Sequence, residues 1–153
     1  MSYGGAGLIP SGTPRRFGLL QGLILVHTAR VVGLSFLVGL NQGLFEASFA
    51  IPAAFGDFLI ALTAPFVVLA LRRGALVSWG AAIAWNALGL ADFAVAITVG
   101  AILAPPAIFT LPWVLIPTVG VPIFAALHVA ALALLLRRPM RAYFAQRDLE
   151  ATV

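Results

Sequence analysis

The sequence has no cysteine and no lysine, and charged residues make up only 9% of its 153 positions. The lack of cysteine excludes disulfides, thiolate metal sites and a catalytic thiol. Soluble globular domains carry about 25% charged residues, so the shortage of charge disfavours a soluble enzyme, a disordered regulator and a nucleic-acid-binding domain. Apolar residues, in contrast, make up 62% of the chain, and the mean hydropathy is +1.08. This composition indicates an integral membrane protein, with the lipid bilayer as a partner.

The common motifs of enzyme chemistry are also missing. The chain contains no glycine-rich phosphate loop, no Gly-x-Ser-x-Gly, no His-Glu-x-x-His and no carboxylate cluster suited to a divalent metal. These absences disfavour an enzyme, and we assign no catalytic residue. The net charge of +4 is small, and its distribution is that of a membrane protein, so nucleic acid is not predicted as a partner.

Four apolar stretches are each long enough to cross a bilayer, which takes about 20 residues of helix. They cover about residues 17–40, 52–71, 75–103 and 112–136. Short connections between successive helices place neighbours antiparallel. The sequence therefore predicts an all-α polytopic membrane protein, whose membrane domain (residues 17–136) is an antiparallel four-helix transmembrane bundle.

The placement of arginine predicts the orientation of this bundle. The connections between the first and second stretches and between the third and fourth contain no arginine. With four spans, the arginines that fall on one side of the membrane are Arg15, Arg16, Arg72, Arg73, Arg137, Arg138, Arg141 and Arg147. Because cytoplasmic segments are enriched in basic residues, we predict that both termini are cytoplasmic.

Two tails flank the predicted bundle. Residues 1–16 are rich in glycine, serine and proline, and we expect a mobile cytoplasmic tail there. Residues 137–153 form a basic cytoplasmic tail, in which Met140, Tyr143 and Phe144 recur at helical spacing. That spacing predicts a short interfacial helix, and an ordinary frayed terminus is the alternative.

Three charged side chains fall inside the predicted spans, where exposure to lipid is costly. At a rise of about 1.5 Å per residue, Arg30 sits roughly 15 Å from the outer end of its helix, and Asp92 and Asp57 sit about 16 Å and about 8 Å from theirs. These depths favour an ion pair between Arg30 and one or both carboxylates. A structural salt bridge, a proton or ion relay and an anion-binding arginine are the alternatives for its role.

Two further polar side chains lie in the predicted third span. Trp85 and Asn86 precede Asp92 by six or seven residues and place an indole and an amide at mid-membrane depth. They are candidates for lining a substrate or ion site together with the charged residues. Packing inside the bundle is the alternative.

His27 and His128 form another candidate pair, on the first and fourth spans. They lie roughly 20 Å and roughly 24 Å from the outer ends of their helices. Two histidines at one depth on facing helices are what axial ligation of a b-type haem requires. The alternative is two buried histidines with hydrogen bonds to neighbours such as Thr28 or Asn86. No other cofactor is predicted.

Prolines interrupt two of the spans. Pro65 in the second span and Pro117 and Pro122 in the fourth predict helix kinks, because each removes a backbone hydrogen bond. Interrupted helices line cavities in transporters, and a plain kinked helix is the simpler interpretation.

Small residues at a spacing of four mark two further faces. The pairs are Gly18 with Gly22 on the first span and Gly80 with Ala84 on the third. Small side chains let helix backbones approach closely. The pairs therefore predict helix–helix contacts at these positions.

Five groups of residues carry a resemblance to known sequences. They are Ala29-Arg30-Val31-Val32-Gly33, Phe49-Ala50-Ile51-Pro52-Ala53-Ala54-Phe55-Gly56-Asp57, Ala64-Pro65, Trp85-Asn86-x-x-Gly89-x-x-Asp92, and Ile116-Pro117 with Pro122 and His128. Together they resemble a group of small bacterial four-span integral membrane proteins of unassigned function. The resemblance covers roughly residues 20–135 and implies a stand-alone bacterial membrane domain, without implying an activity.

Together with this resemblance, the sequence favours a small protein of the bacterial inner (plasma) membrane whose buried Arg30, Asp57, Asp92 and His128 form a polar core. Its expected role is structural, accessory or oligomer-forming. A small proton-coupled transporter or channel that acts as an oligomer is the second hypothesis. A haem-binding electron carrier is the third. The expected protein partners are further copies of the chain or another membrane protein, and no substrate is predicted.

Overall fold

The computed structural model describes residues 13–103 and 105–151, and within these ranges the chain is helical and contains no strand. Residues 1–12 of the predicted N-terminal tail lie outside the described part of the chain. The elements in chain order are α1 (Thr13–Leu25), a 3₁₀ helix (Val26–Leu34), α2 (Ser35–Asn41), α3 (Ala47–Arg73), α4 (Leu76–Leu103), a second 3₁₀ helix (Pro106–Phe109), a π helix (Ile116–Gly120), α5 (Val121–Leu135) and α6 (Arg138–Ala151).

Within the described ranges, four helical stretches are long and apolar enough to cross a membrane. They are the first span (Arg15–Asn41), the second span (Ala47–Arg73), the third span (Leu76–Leu103) and the fourth span (Ile116–Leu135). Each apolar stretch read from the sequence overlaps one of them. By length and composition the protein is therefore a helical membrane protein with four candidate spans.

The first span changes its helical type in the middle. Val26–Leu34 is a 3₁₀ helix, and its buried residues are His27, Arg30 and Gly33. With three residues per turn, side chains three apart stand directly above one another. In a continuous α-helix the same three residues would spread over about 120° of the helix surface. The 3₁₀ geometry therefore puts an imidazole, a guanidinium and a glycine on a single buried face.

The second span begins at Ala47, earlier than the predicted start near residue 52. Phe49 and Ala50 are buried in an apolar cluster, so packing extends the helix through a segment that the sequence assigns to a connection. Pro65 lies inside this one α-helix. Gly74 ends it in the left-handed conformation, with φ +79°, which glycine adopts without steric cost.

The fourth span begins with the π helix Ile116–Gly120, which contains Pro117. The Val121 N–H donates to the Ile116 carbonyl, five residues back, so the helix is locally wider than an α-helix. Pro122 follows in the first turn of α5, where its missing N–H is tolerated. Pro117 therefore lies at the start of the π helix, and Pro122 lies where the π helix changes to α-helix.

Two apolar clusters lie on either side of the polar residues along the spans. One includes Phe36 near the end of the first span and Phe49 at the start of the second. The other includes Leu20 near the start of the first span, together with Met140 and Phe144 of α6, which are both buried. Residues 138–151 thus form a helix that packs on the spans through Met140 and Phe144.

Close contacts of helix backbones fall at glycines other than the predicted ones. A Cβ atom added at Gly18, Gly22 or Gly80 would meet nothing within 4 Å. The prediction of tight contacts at these three glycines is therefore wrong within a single chain. The crowded glycines lie instead beside the charged residues, as described below.

Candidate functional site

Arg30 is the centre of a cluster to which all four spans contribute. Its Nε donates to Asp57 Oδ1 of the second span at 2.7 Å, and its Nη2 donates to Asp92 Oδ2 of the third. Its Nη1 lies 3.3 Å from His128 Nε2 of the fourth span. The Arg30 side chain is only 1% exposed. One buried cation therefore contacts a polar side chain from each of the other three spans.

The protonation of His128 follows from its two neighbours. Guanidinium nitrogens only donate hydrogen bonds, so His128 Nε2 accepts from Arg30 Nη1. The ring hydrogen is then on Nδ1, which donates to Asn86 Oδ1 at 2.9 Å. Asn86 Nδ2 donates in turn to the Ala82 carbonyl at 2.8 Å. His128 is thus a neutral acceptor that adds no charge to the cluster.

Aromatic rings surround these polar groups. Arg30 Cζ lies 3.9 Å from the centroid of the Phe93 ring, an arrangement typical of a cation–π contact. The His27 ring stacks on His128, with centroids 3.8 Å apart and an interplanar angle of 27°, and Trp85 meets His27 edge-on. Both ring nitrogens of His27 are buried and have no hydrogen-bond partner among the described residues.

Three polar side chains of the cluster each rest on a glycine of the preceding span. The pairs are Asp57 on Gly33, Asp92 on Gly56 and His128 on Gly89. A Cβ atom at Gly33 would stand 2.7 Å from the Cγ of its partner, and a Cβ atom at Gly56 would stand 2.8 Å from the Cγ of its own. Any side chain at these positions would push a polar group away from Arg30, so the glycines determine where the groups of the cluster stand.

The charges of the cluster are not balanced. Asp57 and Asp92 both pair with the single guanidinium of Arg30. With His128 neutral, one positive and two negative groups leave a formal charge of minus one when both carboxyls are ionised. An uncompensated charge is costly inside a membrane, and two carboxyls that share a site disfavour ionisation of both. One further positive charge, from a proton or a cation, would complete the cluster.

A cavity of about 300 Å³ borders the two carboxylates. The side chains of Asp57 and Asp92 line it and are 15% and 25% exposed. Its wall includes Phe49 of the second span and Ile116 and Pro117 of the π helix. No hydrogen bond from a described residue reaches Asp57 Oδ2 or Asp92 Oδ1. One oxygen of each carboxylate therefore has no hydrogen-bond donor among the described residues, and these two oxygens lie against Gly33 and Gly56.

Trp85 and Asn86 belong to the surroundings of the cluster and do not line this cavity. Asn86 orients His128 through the hydrogen bond to Nδ1. Trp85 Nε1 donates to Thr63 Oγ1 at 2.8 Å, across to the second span. In the structure these two residues contact other side chains of the bundle.

The haem hypothesis is wrong on geometry. Axial ligands of one haem approach the iron from opposite faces of the porphyrin, whereas the rings of His27 and His128 stack on each other. Both nitrogens of His128 also have protein partners. Over residues 13–103 and 105–151, no group of three or more His, Cys, Asp or Glu side chains is placed to hold a metal ion.

Sequence reasoning does not predict two parts of the site. One is the direct hydrogen bond between Arg30 and His128, and the other is the fit of Asp57 and Asp92 against Gly33 and Gly56. A signal for the glycines exists, because each stands close in sequence to a charged residue of its own span. The neighbours are Arg30 with Gly33, Gly56 with Asp57, and Gly89 with Asp92.

Four apolar helices around a buried charge cluster define a helical membrane protein with a polar site inside its spans. The chain belongs to the family described as "Domain of unknown function (DUF8737)", whose model matches residues 12–136. The match covers all four spans and assigns no activity, in agreement with the resemblance drawn from the sequence. Neither a search of curated proteins nor a search of solved structures found a match.

Proposed function

We propose that the protein is a small proton-coupled carrier whose charge cluster exchanges a proton with the cavity. The observation that carries the proposal is that Asp57 and Asp92 share one guanidinium and both border a cavity of about 300 Å³. A cluster that lacks one positive charge binds either a proton or a cation. Competition between the two for the same carboxylates is the basis of coupled exchange.

Two irregular helical segments favour a carrier that changes conformation over a purely structural role. Arg30 lies on the 3₁₀ helix Val26–Leu34, and the cavity wall includes the π helix Ile116–Gly120. Runs of 3₁₀ helix longer than about four residues are uncommon, and such segments inside α-helices often mark hinges or functional sites. Both segments border the charge cluster or the cavity beside it.

A structural role is the second candidate function. It is favoured by the close fit of the cluster, in which the polar side chains rest on glycines and all three guanidinium nitrogens of Arg30 have partners. On this account the cluster fixes the packing of the spans and keeps its proton permanently. The two candidates differ in one measurable property, because only a carrier exchanges the proton.

We further propose an antiparallel bundle in a bacterial plasma membrane, with both termini in the cytoplasm. The support is that eight of the nine arginines lie near the start of the first span, at the end of the second, or after the fourth. A reporter fused after Val153 should therefore report the cytoplasm, and one inserted near Gly43 should report the exterior. A C-terminal reporter on the outside would contradict this orientation.

The carrier is proposed to act as a homo-oligomer. A single four-helix unit offers little room for a path across the membrane beside its buried core. Gly18 and Gly22 make no close contact inside the chain, and small residues at this spacing let helices of two copies pack together. A molar mass in detergent equal to that of one 16.0 kDa chain would contradict the oligomer.

Vesicles with an imposed pH gradient test the carrier. We expect reconstituted wild-type protein to dissipate the gradient when sodium, potassium or a small organic ammonium ion is supplied on the opposite side. A pH-sensitive dye inside the vesicles measures the rate. Asp57→Asn and Asp92→Asn should each abolish most of the flux, because each removes one of the two acids that share the proton.

Glu46→Gln is the matched control for these variants. It removes a carboxylate in the same way, but at an exposed position just before the second span, and it should leave the flux unchanged. If the wild-type protein is no faster than empty vesicles with all of these cations, the carrier proposal is wrong. The structural role would then take its place.

A further inference from the structure

We infer that the cavity beside Asp57 and Asp92 binds an organic ammonium ion with a single positive charge and a compact apolar body. This site rests on the proposed function, since its ligand is the cation that competes with the proton. The charge of the cluster, the wall of the cavity and its place in the bundle each restrict the ligand.

The charge of the ligand follows from the charges that face it. Asp57 and Asp92 supply two negative groups, and Arg30 supplies one positive group. A monocation brings the sum to zero. A dication would leave a surplus positive charge next to the guanidinium, and an anion would face two carboxylates.

The shape of the ligand follows from the wall of the cavity. Apart from the two carboxylates, the described lining residues are apolar, and they include the rings of Phe49, Phe93 and Phe109. Aromatic faces attract cations and pack against apolar groups. A small inorganic cation would leave most of this wall uncovered, whereas an ammonium ion with alkyl or phenyl substituents would contact the rings and the carboxylates together.

The volume of the cavity limits the ligand to a small molecule. At about 300 Å³, the cavity lies at the lower end of the range of about 300–1,000 Å³ that is typical of small-molecule sites. An ammonium ion with one phenyl ring fits this volume. A long or polycyclic cation does not.

The position of the cavity defines the side from which a ligand enters. Its lining residues include Phe49 at the start of the second span, Ala101 at the end of the third, and Phe109 in the connection that follows. The cavity therefore lies toward the end of the bundle where these elements meet. In the proposed orientation this end is the exterior, so an external cation reaches the carboxylates without passing Arg30.

Binding of benzyltrimethylammonium tests this site. Isothermal titration calorimetry on the purified wild-type protein in detergent should show one bound ion per chain. Neopentylbenzene, in which a carbon replaces the nitrogen, has the same shape without the charge and should bind far more weakly. Equal binding of the neutral analogue would overturn the inference and indicate an apolar, lipid-like ligand.

Three variants and one control locate the bound ion. Asp57→Asn and Asp92→Asn should each weaken binding by roughly tenfold or more, because each removes one partner of a partly buried charge pair. Ala96→Leu adds bulk to the cavity wall without changing a charged group and should also block the ion. Glu46→Gln should bind the ion like the wild-type protein.

The outcomes separate this inference from the carrier proposal. Wild-type affinity in both aspartate variants, or in Ala96→Leu, would place the ion elsewhere and overturn the inference. If the aspartate variants do not fold, Ala96→Leu and the neutral analogue still decide it. A protein that dissipates the pH gradient with alkali cations but does not bind the probe would overturn the inference alone. A protein that does neither would overturn both.

Discussion

Arg30→Ala should destabilise the protein by about 3–5 kcal/mol, the cost measured in soluble proteins when a buried ion pair loses one partner. The substitution leaves Asp57 and Asp92 without their shared guanidinium, so that both must take up a proton or move. It also removes the donor to His128 Nε2. The free energy of unfolding in mixed detergent micelles, followed by loss of helical circular dichroism, measures the effect.

The pairing of Arg30 with the carboxylates further predicts that a second substitution, at Asp92, restores much of the stability that Arg30→Ala removes. Arg30→Ala combined with Asp92→Asn should be more stable than the sum of the single effects, and a double-mutant cycle measures this coupling. Arg30→Lys should recover only part, because an ammonium group lacks the planar fork that contacts two carboxylates. Arg73→Ala, at an exposed position, should change little. If the destabilisation by Arg30→Ala is strictly additive with that of Asp57→Asn and also with that of Asp92→Asn, the pairing is contradicted.

Gly56→Ala should destabilise the protein by about 1–3 kcal/mol, the usual cost of adding a methyl group to a well-packed interior. The new Cβ would stand 2.8 Å from the Cγ of Asp92 and would push that carboxylate away from Arg30. Gly33→Ala and Gly89→Ala should have effects of the same kind. The unfolding assay in mixed micelles measures all three.

Gly80→Ala is the matched control for these glycines. A Cβ at Gly80 would meet nothing within 4 Å, and alanine is favoured over glycine in a helix interior by about 1 kcal/mol. The control should therefore be neutral or stabilising. If Gly80→Ala and Gly56→Ala lower the free energy of unfolding by the same amount, the lack of space beside the charge cluster is not the cause of the destabilisation.

Hydropathy is enough to predict the number and approximate positions of the spans, because each crossing needs a long apolar helix. It does not predict where the second and fourth spans begin. Phe49 is buried by contacts with other elements, and the π helix at Ile116–Gly120 depends on how the chain enters the bundle. These contacts join elements that are distant in sequence, and the local pattern of apolar residues does not predict them.

Depth along the helices predicts that Arg30 meets Asp57 and Asp92, because an arginine in the membrane interior needs partners. Depth alone does not predict the rest of the site. The alignment of His27, Arg30 and Gly33 above one another depends on the 3₁₀ conformation, which an α-helical reading of the sequence misses. The haem hypothesis failed because two histidines at one depth can stack as readily as they can ligate.

The central claim is that the charge cluster binds a proton and exchanges it. Arg30 pairs with both carboxyl groups. His128 contacts Arg30, and the His27 ring stacks on His128. Infrared difference spectroscopy of the protonated carboxyl C=O stretch measures the proton on Asp57 or Asp92 directly.

The account predicts a carboxyl band in the wild-type protein that grows as the pH falls, since a carboxyl gains its proton on acidification. The exposed acids Glu46, Asp148 and Glu150 also gain protons on acidification. The contribution of Asp57 and Asp92 is therefore the part of the band that shifts in heavy water, persists in Glu46→Gln and is lost in the Asp57→Asn, Asp92→Asn double variant. A wild-type protein without such a band would contradict the account, and so would a band that neither titrates nor shifts in heavy water.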